Sequence, residues 1–217
     1  MSRNKLKKFQ VCAESKRVIE PEKENYLTIK GNWNKEHFKN DNPIVLELAC
    51  GRGEYSTGLG KVFPEKNFIG VDVKGDRIWY GNQVAEEFGL DNVAFLRCQI
   101  HTLESFFAEE EVSEIWIVHP DPRPRNRDMR RRLTFPRYLN LYKNILKKDG
   151  IVRLKTDSAP LYKYTLEVIK QEKLTLLSAT DDLENSELLA EHHGIETKYG
   201  KMFIAQGHKI HYLTFKF

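Results

Sequence analysis

The feature that most constrains the fold is a short apolar run, Ile44-Val45-Leu46-Glu47-Leu48-Ala49, that breaks into the turn Cys50-Gly51-Arg52-Gly53. A run of this length ending at a glycine turn reads as a buried parallel strand feeding a helix. Phe68 to Val73 repeats the pattern as a second strand, with Asp72 near its end. Asp76 to Phe88 reads as a helix closed by Gly89, and Val93 to Leu96 as a third strand. Glu114 to His119 gives a fourth strand, stopped by Pro120. Thr134 is expected to cap a helix that runs to about Lys148 and is closed by Gly150. Ile151 to Lys155, a helix after Pro160, and Leu174 to Leu177 continue the alternation, and Lys209 to Phe217 alternates polar and apolar as an antiparallel strand should. The pattern predicts an α/β fold with a doubly wound, mostly parallel sheet of about seven strands, right-handed crossovers and an antiparallel C-terminal strand. Such sheets bind ligands at the carboxyl ends of their strands.

A chain of 217 residues is long enough for one sizeable core. Residues 1–42 are polar and basic, with Tyr26, Trp33 and Phe38 scattered outside any period, and are expected to form a basic N-terminal arm or loosely packed extension ahead of a single domain over 43–217. A net charge of +4 does not announce a nucleic-acid binder, but its distribution is uneven. Six arginines between Arg123 and Arg132 face the lone Asp128, and Arg3, Lys5, Lys7 and Lys8 open the chain. No apolar run approaches the roughly 18 residues of a membrane span, and charges stand where a signal peptide needs an apolar stretch, so a cytoplasmic protein without membrane contact is expected. Cys12, Cys50 and Cys98 lack CxxC spacing, and His208 and His211 would point to opposite faces of a strand, so no metal site is expected.

Gly51 and Gly53 would let the backbone pass close to a ligand. Asp72, about 20 residues on, would stand where an acid accepts hydrogen bonds from ribose hydroxyls. Together they point to an adenosine cofactor. Two details favour S-adenosylmethionine over a nicotinamide dinucleotide. The third glycine of GxGxxG is replaced by Ser56, and the Glu47 carboxylate suits a cationic sulfonium better than an anionic pyrophosphate. A dehydrogenase is disfavoured further by the lack of a hydride-transfer constellation. Gln99, past the third strand, lies at the same edge and could contact adenine.

In His119-Pro120-Asp121-Pro122-Arg123-Pro124, prolines at alternate positions are expected to hold Asp121 in a stiff, extended segment at that edge. The arginines that follow have planar forks suited to phosphates, and the run reads as a surface for an RNA backbone.

With Glu47-Leu48-Ala49-Cys50-Gly51-Arg52-Gly53, Gly70-Val71-Asp72, Pro120-Asp121-Pro122, Arg131-Arg132-Leu133-Thr134 and Lys155-Thr156-Asp157, the chain resembles the bacterial tRNA guanine-N7 methyltransferase family over roughly residues 42 to 217. The resemblance implies a class I, Rossmann-like methyltransferase domain over 43–217, S-adenosylmethionine as donor, and the variable-loop guanosine of tRNA (position 46) as substrate. tRNA would be the partner of a monomer or homodimer. By the same resemblance Glu47, Gly51, Gly53, Asp72, Gln99 and Asp121 line the cofactor site, and Asp121 is also catalytic. Arg125, Asp157, Thr197, Lys198, Tyr199 and Gly200 would meet the substrate, and Arg127, Arg130, Arg131 and Arg132 the RNA. Guanine N7 carries a lone pair and no proton, so methyl transfer needs alignment more than a general base; a carboxylate at Asp121 accepting the base's N–H groups would supply it.

Several positions depart from the family pattern. Ala49 replaces the usual first glycine and is expected to take a negative φ. Gln99 stands where an acid or amide is usual, Arg123 at a place often aromatic and Asp128 at one often histidine. Gly200 stands where the family generally has a glutamate, which reads as a base pocket lacking one acceptor. Arg123, Asp128 and Gly200 keep open a second reading, a catalytically impaired tRNA-binding homologue or partner subunit, against which Glu47, Asp72 and Asp121 argue.

Overall fold

The computed structural model describes residues 3–217, the side chain of Arg3 apart. Its strands are Val18–Ile19 (β1), Ile44–Leu48 (β2), Asn67–Asp72 (β3), Val93–Arg97 (β4), Val112–Val118 (β5), Leu146–Thr156 (β6), Thr175–Thr180 (β7) and His211–Lys216 (β8). Its α-helices are Arg3–Glu14 (α1), Glu54–Val62 (α2), Gly75–Glu87 (α3), Pro136–Ile145 (α4), Ala159–Gln171 (α5) and Lys198–Ala205 (α6). The strands form one sheet in the order β1-β4-β3-β2-β5-β6-β8-β7. β1 to β6 are parallel, and β8 runs antiparallel to both of its neighbours. The mostly parallel, doubly wound sheet expected from the sequence is present, with one strand more at the β1 edge.

The order of strands along the sheet reverses between β2 and β5, so a crevice opens at their carboxyl ends. That topology sets the Ala49–Gly53 turn beside His119–Asp121. All five residues of β2 are buried, because helices cover both faces of the sheet. Ile44, Leu46 and Leu48 pack into a core shared with α4 and α5, while Val45 packs on the other side with Tyr55 and Leu59 of α2. Each such aliphatic side chain contributes about 1.5–3 kcal/mol when fully buried. The period of two that sends Val45 toward α2 sends Glu47 there as well.

The N-terminal segment is not the loose arm that its composition suggested. β1 pairs with β4 through Val18 and Ile19, and Cys12, Ile29, Trp33 and Phe38 are buried. Trp33 Nε1 donates to the Phe106 carbonyl at 2.8 Å, and its ring stacks on Phe107. The Lys23 ammonium donates to the carbonyls of Cys12, Ser15 and Val18, tying α1 to β1. α1, at 12 residues, is long enough to carry a helical period that the sequence reading did not find, whereas the two-residue β1 and the short turns that seat Ile29, Trp33 and Phe38 carry none. Of the basic cluster that opens the chain, the side chain of Arg3 lies outside the described residues.

Two boundaries also differ from expectation. α4 ends at Ile145 and passes directly into β6, so Gly150 lies within an irregular strand and closes no helix. Thr134 does not cap α4; its hydroxyl bonds Thr165 of α5 at 2.8 Å instead. No helix among the described residues is long and apolar enough to cross a membrane, and no metal-binding cluster is found among them.

Candidate active site

Leaving β2, the chain takes left-handed φ at Ala49 (56°), Gly51 (55°) and Gly53 (66°) before α2 starts. Ala49 was expected at negative φ; it sits instead in the region that L-residues adopt at a cost of about 1–2 kcal/mol. A Cβ on Gly51 would meet nothing nearer than the Ala49 carbonyl at 4.0 Å, so this glycine faces open space. Gly53 differs, because a Cβ there would lie 2.5 Å from the Phe95 ring. It is required for packing and does not border the cleft.

Two cavities meet at Ala49. One, of about 420 Å³, is bordered by Asp72, Gln99, Asp121, Arg123 and Arg131. The other, of about 260 Å³, is bordered by Glu47, Gly51, His119, Thr197, Lys198 and Tyr199. Asp72 is nearly buried, and its carboxylate accepts from Gly51 N at 2.9 Å and Lys74 N at 2.8 Å, which aims it along the turn with lone pairs to spare. Glu47 accepts from Ser56 N at 2.8 Å and Ser56 Oγ at 2.6 Å. Ser56 therefore serves the carboxylate where a dinucleotide fold would need a third glycine.

The segment around Asp121 is not extended throughout. The residues before two of the prolines, His119 (φ 45°) and Arg123 (φ 47°), turn left-handed, a strained state that clusters at functional sites. The exposed Asp121 carboxylate accepts from Arg123 N at 3.1 Å and faces the Arg123 guanidinium at 3.2 Å. His119 donates from Nδ1 to Asp157 Oδ1 at 3.2 Å. α6 begins with Thr197, whose hydroxyl accepts from Gly200 N at 2.8 Å as a helix cap.

A methyltransferase family model, described as "Putative methyltransferase", matches residues 41–213. A tRNA (guanine-N(7)-)-methyltransferase of Cytophaga hutchinsonii is 47% identical over 219 residues, covering 100% of this chain and 99% of the relative. Its namesake in Christiangramia forsetii is 46% identical over 220 residues, covering 99% and 98%. The chain belongs to the tRNA (guanine-N(7)-)-methyltransferase family. The fold is shared more widely: a solved 16S rRNA methyltransferase superposes with a TM-score of 0.64 at 13% identity, over 84% of this chain and 91% of that one.

Within this family member the residues expected at the site separate into groups. Glu47, Gly51, Asp72, Gln99 and Asp121 border the two joined cavities, as do Thr197, Lys198 and Tyr199. Gly200 lies behind Thr197, and Asp157 reaches the cleft only through His119. Arg125, Arg127 and Arg130 are exposed on the loop that follows, outside both cavities. Arg131 is paired with Asp128 at 3.3 Å. Arg132 departs from its expected RNA role. It is buried, donates twice to the Arg123 carbonyl at 3.2 and 3.1 Å, and lies over Tyr164. Its charge holds the loop's shape. The residue that pattern reading passed over is His119, whose only signal was a polar side chain ending an otherwise apolar strand.

Burial pushes the Glu47 carboxyl up to about 7, opposed by its bonds from Ser56. A raised carboxyl favours the folded state at low pH and loses that contribution as pH rises through the folded value. The ligand-free protein is therefore expected to lose about 1 kcal/mol of stability between pH 6 and pH 8 from this group. Glu47→Gln should remove that part of the slope, checked by denaturant unfolding at both pH values.

Proposed function

We propose that the chain transfers a methyl group from S-adenosylmethionine to N7 of a guanosine in tRNA. The observation that carries this is the joined cleft at the β2/β5 switch point, where a nearly buried Asp72, a buried Glu47 and Asp121 converge in a member of this family. S-adenosylmethionine would fit there: Gly51 leaves open space along the turn, and Asp72 keeps lone pairs for ribose hydroxyls. When bound, it supplies an electrophilic methyl on a cationic sulfonium. Glu47, in its ionised form, would place negative charge in the same cavity, in a setting where Coulombic attraction is less screened than in water. Gln99, in the same cavity as Asp72, would contact the adenine. Asp121 accepts the guanine N–H groups and holds N7 in line, which supports the positive charge that develops as the bond forms.

The non-catalytic reading is the weaker one, because the carboxylates stay at the cleft and the relatives match along nearly their full length. The exposed arginines fit the phosphate backbone of the substrate. Replacing Arg125, Arg127 and Arg130 together by alanine should weaken tRNA binding and lower the slope of log affinity against log salt by about 0.7–0.9 for each arginine–phosphate pair removed. Filter binding across a salt series checks this; an unchanged slope would return the loop to plain solvated surface. The experiment that tests the function itself is labelled methyl transfer to tRNA with the modified base mapped.

A further inference from the structure

We propose that His119 shares with Asp121 the recognition of the edge of the guanine base, presenting Nε2 as a hydrogen-bond acceptor where this chain has only a glycine at position 200. The inference rests on the tRNA-methylating reading above. Its observation is independent of that reading: His119 Nε2 is buried and has no hydrogen-bond partner. Buried polar atoms are nearly always paired in native structures, and an exception beside a cleft calls for a missing partner.

The ring's orientation fixes what Nε2 can do. Asp157 is partly buried, which raises its carboxyl, but the bond from His119 prevails and holds it below the usual carboxylate range. An ionised carboxylate can only accept, so Nδ1 is the donor, and a ring that carries its single proton there presents Nε2 as an acceptor. Guanine offers two donors on one edge, N1–H and N2–H. An acceptor at the end of β5, two residues before Asp121, is placed to take one of them.

The surroundings support a working role. His119 borders the same cavity as Glu47 and Gly51 with its side chain only 5% exposed, and Asp157, Phe203 and the first turn of α6 pack around the ring. A Cβ at Gly200 would stand 3.3 Å from Nε2 and 2.9 Å from Thr197 Oγ1. The glycine thus makes room for the imidazole, and any longer side chain at 200 would compete for the same space. Nε2 is screened by that first turn, so the base reaches it when the turn lifts. The turn is secured by the Thr197 cap and by Glu54 accepting from Lys198 N at 3.1 Å, and Tyr199, Met202 and Ile204 are exposed on α6. Closing over an unpaired acceptor makes the closed position less favourable than it would otherwise be.

The test is a double-mutant cycle on the full chain, reading kcat/KM for tRNA, cofactor affinity and melting temperature. His119→Phe should lower kcat/KM for tRNA about tenfold or more, the loss of one hydrogen bond to an unpaired donor, with cofactor affinity and melting temperature little changed. His119→Gln, which keeps an acceptor, should retain most of the activity. Gly200→Glu alone should also lower kcat/KM, because it crowds Nε2; combined with His119→Phe it should be more active than His119→Phe alone. Should His119→Phe fail to fold, the Gly200→Glu and His119→Gln results carry the test. His119→Phe with wild-type kcat/KM, or Gly200→Glu alone faster than wild type, would overturn the assignment while leaving the tRNA-methylating reading intact. A wild type that methylates no tRNA would overturn both.

Discussion

Asp121→Ala is expected to cut methyl transfer to tRNA by about 10²-fold or more, the scale of losing one preorganised electrostatic interaction. Binding of S-adenosylmethionine and of tRNA should change little. Asp121 is exposed and makes its contacts within its own turn, to Arg123, so the substitution removes a carboxylate without opening the core. The variant loses the bond from Arg123 N to Asp121 Oδ1, while the two Arg132 bonds to the Arg123 carbonyl remain to hold the loop. Single-turnover kinetics with saturating cofactor separates the chemical step from binding. A variant that keeps wild-type single-turnover rates would remove Asp121 from the mechanism.

The second large effect belongs to Asp72. Asp72→Ala should weaken S-adenosylmethionine binding by about 1.5–3 kcal/mol, the range for hydrogen bonds to a charged group, which is about 10- to 150-fold in affinity. The carboxylate also receives Gly51 N and Lys74 N, so the variant leaves two backbone donors unpaired and loosens the turn. Asp72→Asn, which retains one carbonyl oxygen, should fall between wild type and alanine. Calorimetry with the cofactor's demethylated product measures this without turnover; equal affinities for wild type and Asp72→Ala would contradict the role given to it.

The sequence made the β2 turn, the Asp72 position and the alternation of parallel strands with helices readable, because each rests on local periodicity interrupted by glycine or proline. What it hid depends on contacts distant in the chain. Trp33 looked like a stray aromatic in a polar stretch, yet its indole finds the Phe106 carbonyl 73 residues away. Gly53 looked like a ligand-facing glycine, yet its missing Cβ makes way for Phe95. Arg132 looked like one more phosphate ligand, and only the folded loop shows its guanidinium spent on a backbone carbonyl. The expectation of negative φ at Ala49 failed for a related reason. The turn geometry is imposed by the strand and helix it joins, and alanine tolerates the left-handed position the family generally gives to glycine. His119 carried the least signal of all, since its meaning depends on Asp157 and Gly200, which β6 and α6 bring to it.

One measurement bears most directly on the central claim. Purified protein is incubated with S-adenosylmethionine labelled in the methyl group and with unmodified tRNA, and the product is digested and its labelled nucleoside identified. Label is expected in 7-methylguanosine, in a variable-loop nucleotide, with little transfer by Asp121→Ala. Protein that binds both ligands yet leaves the tRNA unlabelled, or labels a position other than N7 of guanosine, would contradict the assignment.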